Sequence, residues 1–410
     1  MSNHANTMGA DSDLVRCPIM PTYGAPSLMF VRGEGTELWD AQGKRYLDFV
    51  GGLAVQSLGH ANPEVAEAIA LQAKKLTQVS NYWATEHAHH VALTLDRHIN
   101  GTNTDSSAVT DFPAGQVFFC NSGAEANELA FKLARKWSGA GQYEILTAMG
   151  SFHGRTLAAL AACGQPHKHE PFAPMPQGFQ HFERDEATSL ESLITSKTAA
   201  IHVEPVQGEG GVWPSTEPFM SRIQELSSEK EILFMVDEVQ SGLCRTGEWF
   251  AFQHFGVQPD VVCIAKALGN GFPIAAVWAR ADVASAFQAG DHGSTYGGNP
   301  LGTAAARKVL EIMERDNYPL KAKNLGDTLS GALMDLPRVT SVRGMGGILA
   351  AELDGEISKT VAMEATGKGV LVNPITPTAI RLTPPLSTSL EHVDEAMSIL
   401  KGVLHAATPS

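Results

Sequence analysis

The sequence has no long hydrophobic run: no apolar stretch approaches the roughly 20 residues that a helix needs to cross a bilayer. Cations are also scarce, since 30 Lys and Arg face 44 Asp and Glu and leave a net charge of −14. This deficit argues against nucleic acid as a partner, because phosphates require a basic surface. The first residues lack both the apolar core of a secretory signal and the arginine-rich pattern of a transit peptide. We therefore expect a cytoplasmic protein that binds neither membrane nor nucleic acid.

Cysteine is rare as well, and its five copies are scattered at Cys17, Cys120, Cys163, Cys244 and Cys263. They are odd in number and form no CxxC pair, which indicates reduced thiols rather than a disulfide framework. The hydrophobic content of 43% and the charged content of 18% are ordinary for a globular enzyme. At 410 residues the chain is too long for one small core, so we expect two domains.

The stretch 232–266 contains two apolar runs that each end in a chemically useful side chain. Residues 232–236 have the composition of a buried strand and lead into Asp237, and residues 261–265 do the same for Lys266. Both side chains precede glycine-containing turns, which is typical of the active edge of an open α/β sheet. An acid and an amine at such an edge suit pyridoxal phosphate, with the lysine in a Schiff base and the aspartate at the pyridine nitrogen. The alternative is a structural ion pair, and these two residues alone do not decide between the two interpretations.

A second stretch, 117–128, predicts an anion site. A short apolar strand runs into Asn-Ser-Gly-Ala-Glu-Ala and then into a helix that extends to about Trp137. Free backbone N–H groups at the start of such a helix suit a phosphate. The alternative is an ordinary N-cap at Ser122 with a glutamate three residues later. The stretch is neither a Walker loop nor GxGxxG.

One further strand exit and one loop carry weaker signals. Phe152 and Arg155 follow a strand over 144–149 and could supply a stacking face and a carboxylate fork, although a packed Phe and a solvated Arg are commoner. The hydroxyl- and glycine-rich loop 291–300 could bind phosphate or be a turn. The histidines at 87, 89 and 90 lack a set of carboxylates or cysteines that would complete a ligand shell, so we predict no metal.

The order of elements predicts an α/β protein. Strands and helices alternate over 117–280, which indicates a large domain with a mostly parallel central sheet. The pattern changes after 310 to that of a smaller α+β domain. We therefore divide the chain into an N-terminal arm with part of the small domain over 1–60, a large domain over 61–305, and a C-terminal small domain over 306–410.

Taken together, six stretches resemble the class III, ω-amino-acid aminotransferases, which have fold type I of the pyridoxal-phosphate enzymes. The resemblance runs from about Tyr23 to the last helix, nearly the whole chain. Each motif alone is weak, but six in the family's order make a coincidence improbable. The matching stretches are 121–126, 152–156, 203–205, 237–240, Lys266 and 292–300.

The resemblance implies a role for each matching position. It makes Lys266 the residue that binds the cofactor covalently and then moves the proton, and Asp237 the partner of the ring nitrogen. It also implies an obligate homodimer, because Thr295 would complete the partner subunit's site. The other positions implied to contact pyridoxal phosphate are Ser122, Gly123 and Ala124 at the phosphate, Phe152 and Val239 on the ring faces, Gln240 at the phenolic oxygen, and Glu238.

Within the family the likeness is greatest to enzymes of arginine biosynthesis that act on N-acetylornithine. It implies transfer of an amino group from N2-acetyl-L-ornithine to 2-oxoglutarate, which yields N-acetyl-L-glutamate 5-semialdehyde and L-glutamate. Arg155 and Ser294 would bind the substrate, with Tyr23 at the pocket mouth. Arg381 would bind the α-carboxylate of glutamate and 2-oxoglutarate, with Glu204 as its movable counter-ion. Arginines at both ends suit two substrates that each bring a carboxylate.

The identity of the amine donor depends on fewer residues. Ornithine δ-aminotransferases carry a tyrosine where Leu53 stands, and an aliphatic side chain cannot hydrogen-bond a free α-ammonium group. This favours an acylated amine, although ornithine, N-succinylornithine and N-succinyldiaminopimelate remain open as donors. Glutamate-1-semialdehyde aminomutases also resemble the chain but have threonine in place of Ala124. A non-enzymatic protein of this fold would not need Lys266 together with Asp237.

Overall fold

The computed structural model describes residues 19–24, 26–100 and 115–407, so the predicted polar arm lies almost wholly outside the described residues. Within them, no helix is long and apolar enough to span a membrane. The strands are β1 Phe30–Glu34, β2 Glu37–Asp40, β3 Arg45–Asp48, β4 Gly115–Cys120, β5 Glu144–Ala148, β6 Phe179–Phe182, β7 Thr198–Val203, β8 Val206–Gln207, β9 Trp213–Pro214, β10 Leu233–Asp237, β11 Val261–Ile264, β12 Ala275–Arg280, β13 Val339–Met345, β14 Ile348–Leu353, β15 Val370–Leu371, β16 Asn373–Thr376 and β17 Ala379–Leu382. The helices are Pro63–Ala73, Glu86–Ile99, Gly123–Ser138, Leu157–Ala162, Ala187–Leu193, Glu217–Lys230, Ala281–Ala284, Pro300–Arg315, Tyr318–Met334, Ser358–Gly367 and Leu390–Ala406. A further helical turn, Gly51–Ala54, is described with the site.

A seven-stranded sheet forms the centre of the molecule, in the order β4-β12-β11-β10-β7-β5-β6. The strands β11, β10, β7, β5 and β6 run parallel to one another. β12 runs antiparallel to both of its neighbours, β11 and β4. The predicted α/β class is therefore confirmed, and the sheet is mixed, with one reversed strand.

The central strands are buried on both faces, which explains their nearly continuous apolar sequences. Successive side chains point to opposite faces, so Leu233 and Met235 join one hydrophobic core while Phe234 and Val236 join another. Helix Gly123–Ser138 covers the first of these faces and buries Ala126, Leu129, Ala130 and Leu133 there. Its first turn therefore lies against the sheet edge where β4 ends.

Two smaller sheets complete the fold. One has the order β1-β2-β3-β15, and its parallel pairing of β3 with β15 joins the N-terminal part of the chain to the C-terminal part. The other, β13-β14-β17-β16, is antiparallel. The buried guanidinium of Arg245 ties these parts to the large sheet, because it donates to Gly347 O, Pro384 O and Ser57 Oγ. The domain limits at 60 and 305 remain predictions.

Candidate active site

Five strands of the central sheet bring polar or aromatic side chains to one edge. Asp237 is the last residue of β10, while Lys266 and Glu204 follow the ends of β11 and β7. Ser122 and Phe152 follow the ends of β4 and β5. Because parallel strands end at the same edge of a sheet, all five side chains meet around one cavity of about 410 Å³. The sequence prediction of a shared edge therefore holds in the structure.

Lys266 lies in the cavity wall with its backbone at φ 45°, in the left-handed region that non-glycine residues rarely adopt. Such strained backbone is concentrated at functional sites. Burial lowers the pKa of its amine to about 8. A substantial fraction of the amine is therefore neutral near physiological pH, as a nucleophile or a general base requires.

Asp237 is held by three hydrogen bonds and does not pair with Lys266. Its Oδ2 lies 2.8 Å from His153 Nδ1 and accepts from Asn127 Nδ2 at 2.8 Å, and its Oδ1 accepts from Val239 N at 3.0 Å. Burial alone would raise the pKa of this carboxyl group, but the hydrogen bond from His153 and the smaller contributions outweigh it, so the pKa lies below its ordinary value. The ion pairs among the described residues do not join Asp237 to Lys266, which removes the structural ion pair as an explanation of both residues.

The anion site predicted at the end of β4 has the local geometry of a helix N-terminus. Ser122 is the N-cap and accepts from Glu125 N at 3.2 Å, and the Glu125 carboxylate in turn accepts from Asn121 N at 2.9 Å. Gly123 and Ala124 occupy the first turn, where N–H groups have no carbonyl partner within the helix. A Cβ on Gly123 would lie 2.8 Å from Val239, so only glycine lets this turn approach the Val239 side chain. The N-cap and the predicted anion site therefore share the same helix N-terminus.

These features fit pyridoxal phosphate at three separate points. The helix N-terminus suits the phosphate, the amine of Lys266 suits the aldehyde, and the ionised Asp237 suits a protonated ring nitrogen. Phe152 and Val239 both line the cavity, as the ring faces require. The donor set and the glycine cradle at the cavity therefore match the cofactor that the resemblance implies.

One of the predicted cofactor contacts does not reach the cavity. Glu238 is 1% exposed, and its carboxylate accepts from Ser241 Oγ at 2.5 Å and from Phe252 N at 2.8 Å. Burial raises its pKa to about 7. Because successive residues at a strand end point to opposite faces, Glu238 faces away when Asp237 faces the cavity. Glu238 therefore does not line the cavity, and its contact with the cofactor stays a prediction.

The counter-ion of Arg381 also differs from the prediction. Arg381 Nη1 donates to Glu209 Oε1 at 2.7 Å, to Gly208 O at 3.0 Å and to Gln240 Oε1 at 3.1 Å. Glu204 instead accepts from Phe152 N at 2.9 Å and Gly208 N at 3.4 Å. The prediction failed because these backbone N–H groups satisfy Glu204, and the turn after β8 carries Glu209 to the arginine. Glu204 still lines the cavity.

The guanidinium of Arg381 retains unused donors. The side chain is fully buried, yet its Nε and Nη2 have no partner among the described residues. A buried donor without a partner costs about 1–3 kcal/mol. An anion that approached this edge with two oxygens would satisfy both donors at once, which is the geometry in which arginine binds carboxylate.

Two cations lie beside Phe152 without an acidic partner. The guanidinium carbon of Arg155 is 5.3 Å and the amine of Lys168 is 5.2 Å from the centroid of the Phe152 ring. No ion pair among the described residues involves either cation. Burial, followed by repulsion from Arg155, lowers the pKa of Lys168. Arg155 lines the cavity, so Arg155 and Lys168 place positive charge at the mouth of the cavity beside Phe152.

Arg381 contacts the cavity residues Glu209 and Gln240 but does not itself line the cavity, and the remaining predicted substrate and partner contacts also lie outside the lining of their own chain. Tyr23 is fully exposed. Ser294 Oγ accepts from Asn121 Nδ2 at 3.3 Å, whereas Thr295 is exposed. The loop that carries both is held by Asn81, whose Nδ2 donates to Ser294 O at 3.0 Å and to Gly297 O at 2.9 Å.

A left-handed helical turn forms another part of the wall. Gly51, Gly52, Leu53 and Ala54 all have φ between 55° and 65°. A left-handed turn costs roughly 1–2 kcal/mol for each non-glycine residue, so the two side chains here are held against local preference. The turn leaves Leu53 at 42% exposure and delivers Val55 to the cavity lining.

Sequence reasoning missed five residues of the site. Asn127, His153 and His202 form the buried network behind Asp237, Glu209 pairs with Arg381, and Lys168 lies beside Arg155. His153 lies within the motif 152–156, and Glu209 lies four residues after the motif 203–205. The signal for His202 is a titratable residue in a largely apolar strand.

Comparisons with known proteins agree with this geometry. The chain matches the family described as "Aminotransferase class-III" over residues 20–404. It is 42% identical over 396 residues to the acetylornithine aminotransferase of Methanothermobacter thermautotrophicus, covering 96% of this chain and 97% of that protein. It is 41% identical over 386 residues to the succinylornithine transaminase of Salmonella typhimurium, covering 92% and 91%.

Solved structures give the same result. The ornithine aminotransferase of Toxoplasma gondii superposes with a TM-score of 0.86 at 31% identity, covering 94% of this chain and 92% of that chain. The N-acetylornithine aminotransferase of Stenotrophomonas maltophilia superposes with a TM-score of 0.79 at 32% identity, covering 94% and 97%. A second structure of the Toxoplasma enzyme has pyridoxal phosphate at partial occupancy at its active site. These matches confirm the resemblance, the fold and the cofactor predicted from the sequence.

Proposed function

This chain belongs to the class-III aminotransferases, and we propose that it transfers the terminal amino group of N2-acetyl-L-ornithine to 2-oxoglutarate, as a step of arginine biosynthesis in the cytoplasm. That it is an aminotransferase using pyridoxal phosphate follows from the family. The observation that carries the choice of substrates is the presence of guanidinium groups in two separate parts of the site. Arg381 is buried beside Glu209 and Gln240, whereas Arg155 is exposed at Phe152. One site can therefore recognise a carboxylate at either end of a substrate.

Lys266 and Asp237 carry the chemistry in this proposal. When bound, pyridoxal phosphate supplies an electron sink that stabilises the negative charge left on a substrate carbon after proton removal. Lys266 would hold the cofactor, and its neutral amine would take the proton from that substrate carbon and return it. Asp237 would keep a proton on the ring nitrogen, because its lowered pKa makes it a carboxylate.

The pairing of Arg381 with Glu209 supports the use of two different substrates at one site. When the ω-amine donor is bound, Glu209 neutralises the buried guanidinium. When glutamate or 2-oxoglutarate is bound, its α-carboxylate takes the Nε and Nη2 edge, which has no other partner among the described residues. Gln240 contacts the same guanidinium and lines the cavity, so it links this carboxylate site to the cofactor.

The cavity mouth supports an acylated donor with a carboxylate. Arg155 and Lys168 together offer two cations to the α-carboxylate of N-acetylornithine. Leu53 offers no acceptor for a free α-ammonium group. N-succinylornithine is the second candidate, because its extra carboxylate would suit the second cation and a relative at 41% identity is named for that activity.

A homodimer with shared active sites is part of the proposal. Three large apolar side chains near the loop 291–300 are exposed: Tyr82 at 91%, Trp83 at 65% and Tyr296 at 64%. Exposed apolar groups of this size indicate a partner surface. Thr295 is exposed and does not line the cavity of its own chain, which suits a residue that serves the partner subunit.

The experiment that tests the reaction is an isotope transfer. The holoenzyme is incubated with N-acetylornithine labelled with nitrogen-15 at the terminal amine, with and without 2-oxoglutarate. We expect labelled glutamate over many turnovers with 2-oxoglutarate and no more than one turnover per site without it. Sustained turnover without 2-oxoglutarate would contradict the proposal and favour an intramolecular amino transfer.

A further inference from the structure

His202 is a polar residue in a place where polarity is costly. It lies in β7, every residue of which is buried, and its own side chain is 0% exposed. Burying a polar group without a hydrogen bond costs about 1–3 kcal/mol on the scale of protein mutations. One hydrogen bond offsets this cost, between His202 Nε2 and Asn127 Oδ1 at 2.9 Å. An apolar residue would suit the strand better, so the contact with Asn127 needs an explanation.

Asn127 connects this histidine to the catalytic carboxylate. Its Nδ2 donates to His153 O at 2.7 Å and to Asp237 Oδ2 at 2.8 Å, so both of its amide hydrogens are used. Its Oδ1 is therefore the end that faces His202. An amide turned over by half a rotation would place its oxygen against the Asp237 carboxylate, where two acceptors repel each other.

The hydrogen-bond pattern determines the tautomer of His202. Because Asn127 Oδ1 can only accept, His202 Nε2 must carry the proton. Its Nδ1 is buried without a partner among the described residues, and a lone pair in that position costs less than an unpaired N–H. Burial lowers the pKa of the imidazole to about 3, which agrees with the neutral form.

We propose that His202 is a positioning residue: its neutral Nε2–H form fixes the amide of Asn127 and thereby keeps one hydrogen bond directed at Asp237. The inference rests on the proposed function, in which Asp237 holds the proton of the ring nitrogen. His153 provides the other side-chain hydrogen bond to the same oxygen and contacts His202, with ring centroids 4.6 Å apart. His153, His202 and Asp237 offer ligand atoms within 4.8 Å of one another, close enough for one metal ion. Asp237 Oδ2 and His202 Nε2 are engaged by Asn127, whereas His153 Nε2 and His202 Nδ1 are buried without a partner among the described residues. With the proton of His153 on Nδ1, toward Asp237, both of these nitrogens carry lone pairs, so the inferred tautomers leave no N–H unpaired.

The first test observes the tautomer directly. The apoenzyme is labelled with nitrogen-15 at histidine, and the ring nitrogens of His202 are assigned from the signals that disappear in His202→Gln. We expect a neutral imidazole with its proton on Nε2 at pH 7.5. A proton on Nδ1, or on both nitrogens, would overturn the inference whatever the enzyme's activity, because Asn127 would then have to present its N–H groups differently.

The second test compares His202→Gln with His202→Met. The two replacements are similar in size, but only glutamine retains a donor near the position of Nε2. Each apoenzyme is titrated with pyridoxal phosphate and with its 1-deaza analogue, in which carbon replaces the ring nitrogen. We expect His202→Met to weaken binding of pyridoxal phosphate about tenfold, the loss of one hydrogen bond to a charged group, and to leave binding of the analogue unchanged. His202→Gln should stay within about threefold of the parent for both ligands.

The outcomes separate the inference from the proposed function. If the parent enzyme does not distinguish the two ligands, the role that the proposed function gives to Asp237 fails, and the inference that rests on it fails too. If the parent does distinguish them but the Met and Gln variants behave alike, His202 only fills space and the inference fails alone. Thermal unfolding of each apoenzyme shows whether a variant folds. If His202→Met does not fold, the tautomer and the Gln variant decide.

Discussion

Replacing Glu209 with glutamine would test the assignment of the carboxylate site. Glu209→Gln keeps the shape of the side chain and an oxygen that can face Arg381, but it removes the negative charge from a 2.7 Å ion pair. In the parent, the α-carboxylate of 2-oxoglutarate must bind an arginine that this charge already neutralises. We therefore expect the variant to bind 2-oxoglutarate more tightly.

The size of the effect follows from the environment of the pair. Hydrogen bonds to charged groups contribute about 1.5–3 kcal/mol to stability. The Arg381 side chain is 0% exposed, but that of Glu209 is 27% exposed, so solvent screens the pair and the lower end of this range applies. Removing the Glu209 charge therefore removes an opposition of about 1.5 kcal/mol to the binding of 2-oxoglutarate. This corresponds to a decrease of about tenfold in its dissociation constant.

The assay is rapid mixing of the half-reaction that consumes 2-oxoglutarate, with the rate followed against its concentration. Glu352→Gln is the matched control, because Glu352 pairs with Arg343 at the same 2.7 Å and with a similar exposure of 28%, outside the cavity lining. The control should bind 2-oxoglutarate like the parent. Unchanged or weaker binding by Glu209→Gln would refute the assignment of Glu209 as the competing charge.

Three further variants test other parts of the account. Lys266→Ala should abolish transamination but retain binding of inorganic phosphate in equilibrium dialysis, because the helix N-terminus is separate from the amine; substantial turnover would defeat the mechanism. Arg381→Ala should slow the half-reaction with glutamate by the loss of hydrogen bonds worth about 1.5–3 kcal/mol each, and an unchanged rate would remove Arg381 from the carboxylate site. Glu238→Gln tests how stability depends on pH. Burial raises the folded-state pKa of the Glu238 carboxyl group from 4.5 to about 7, so the parent loses stability as pH rises from about 4.5 to 7. At pH 8 the variant should therefore be more stable in urea by up to about 3 kcal/mol, and an equal pH dependence of both proteins would contradict the assignment.

The sequence predicted the catalytic edge because one geometric rule covers it. Apolar runs that end in Asp237 and Lys266 read as buried strands, and the ends of parallel strands must meet. The antiparallel direction of β12 can also be inferred from the sequence. Only ten residues, 265–274, separate β11 from β12, fewer than the dozen or more that a parallel crossover requires. The short connection therefore indicates an antiparallel neighbour.

The contacts between distant segments were less accessible. Glu204 and Glu209 are both acidic and lie five residues apart, and only the folded turn shows which of them reaches Arg381, 172 residues from Glu209. His202 was hidden for a related reason: a histidine in an apolar run gives no sign of its partner, and Asn127 is 75 residues away. The residue types predicted an acidic partner for Arg381, but only the direction of the side chains at the turn shows that this partner is Glu209.

The central claim is that the site accepts an ω-amine donor whose α-nitrogen is acylated, and a single-turnover titration tests it most directly. The holoenzyme is mixed with N-acetylornithine, N-succinylornithine or ornithine, and loss of the visible absorption of the bound cofactor is followed in time. The account predicts fast loss with the acetylated amine and slow loss with free ornithine, because Leu53 offers the α-ammonium group no partner. If ornithine reacts as fast as N-acetylornithine, the site does not recognise the acyl group and the proposed function is contradicted.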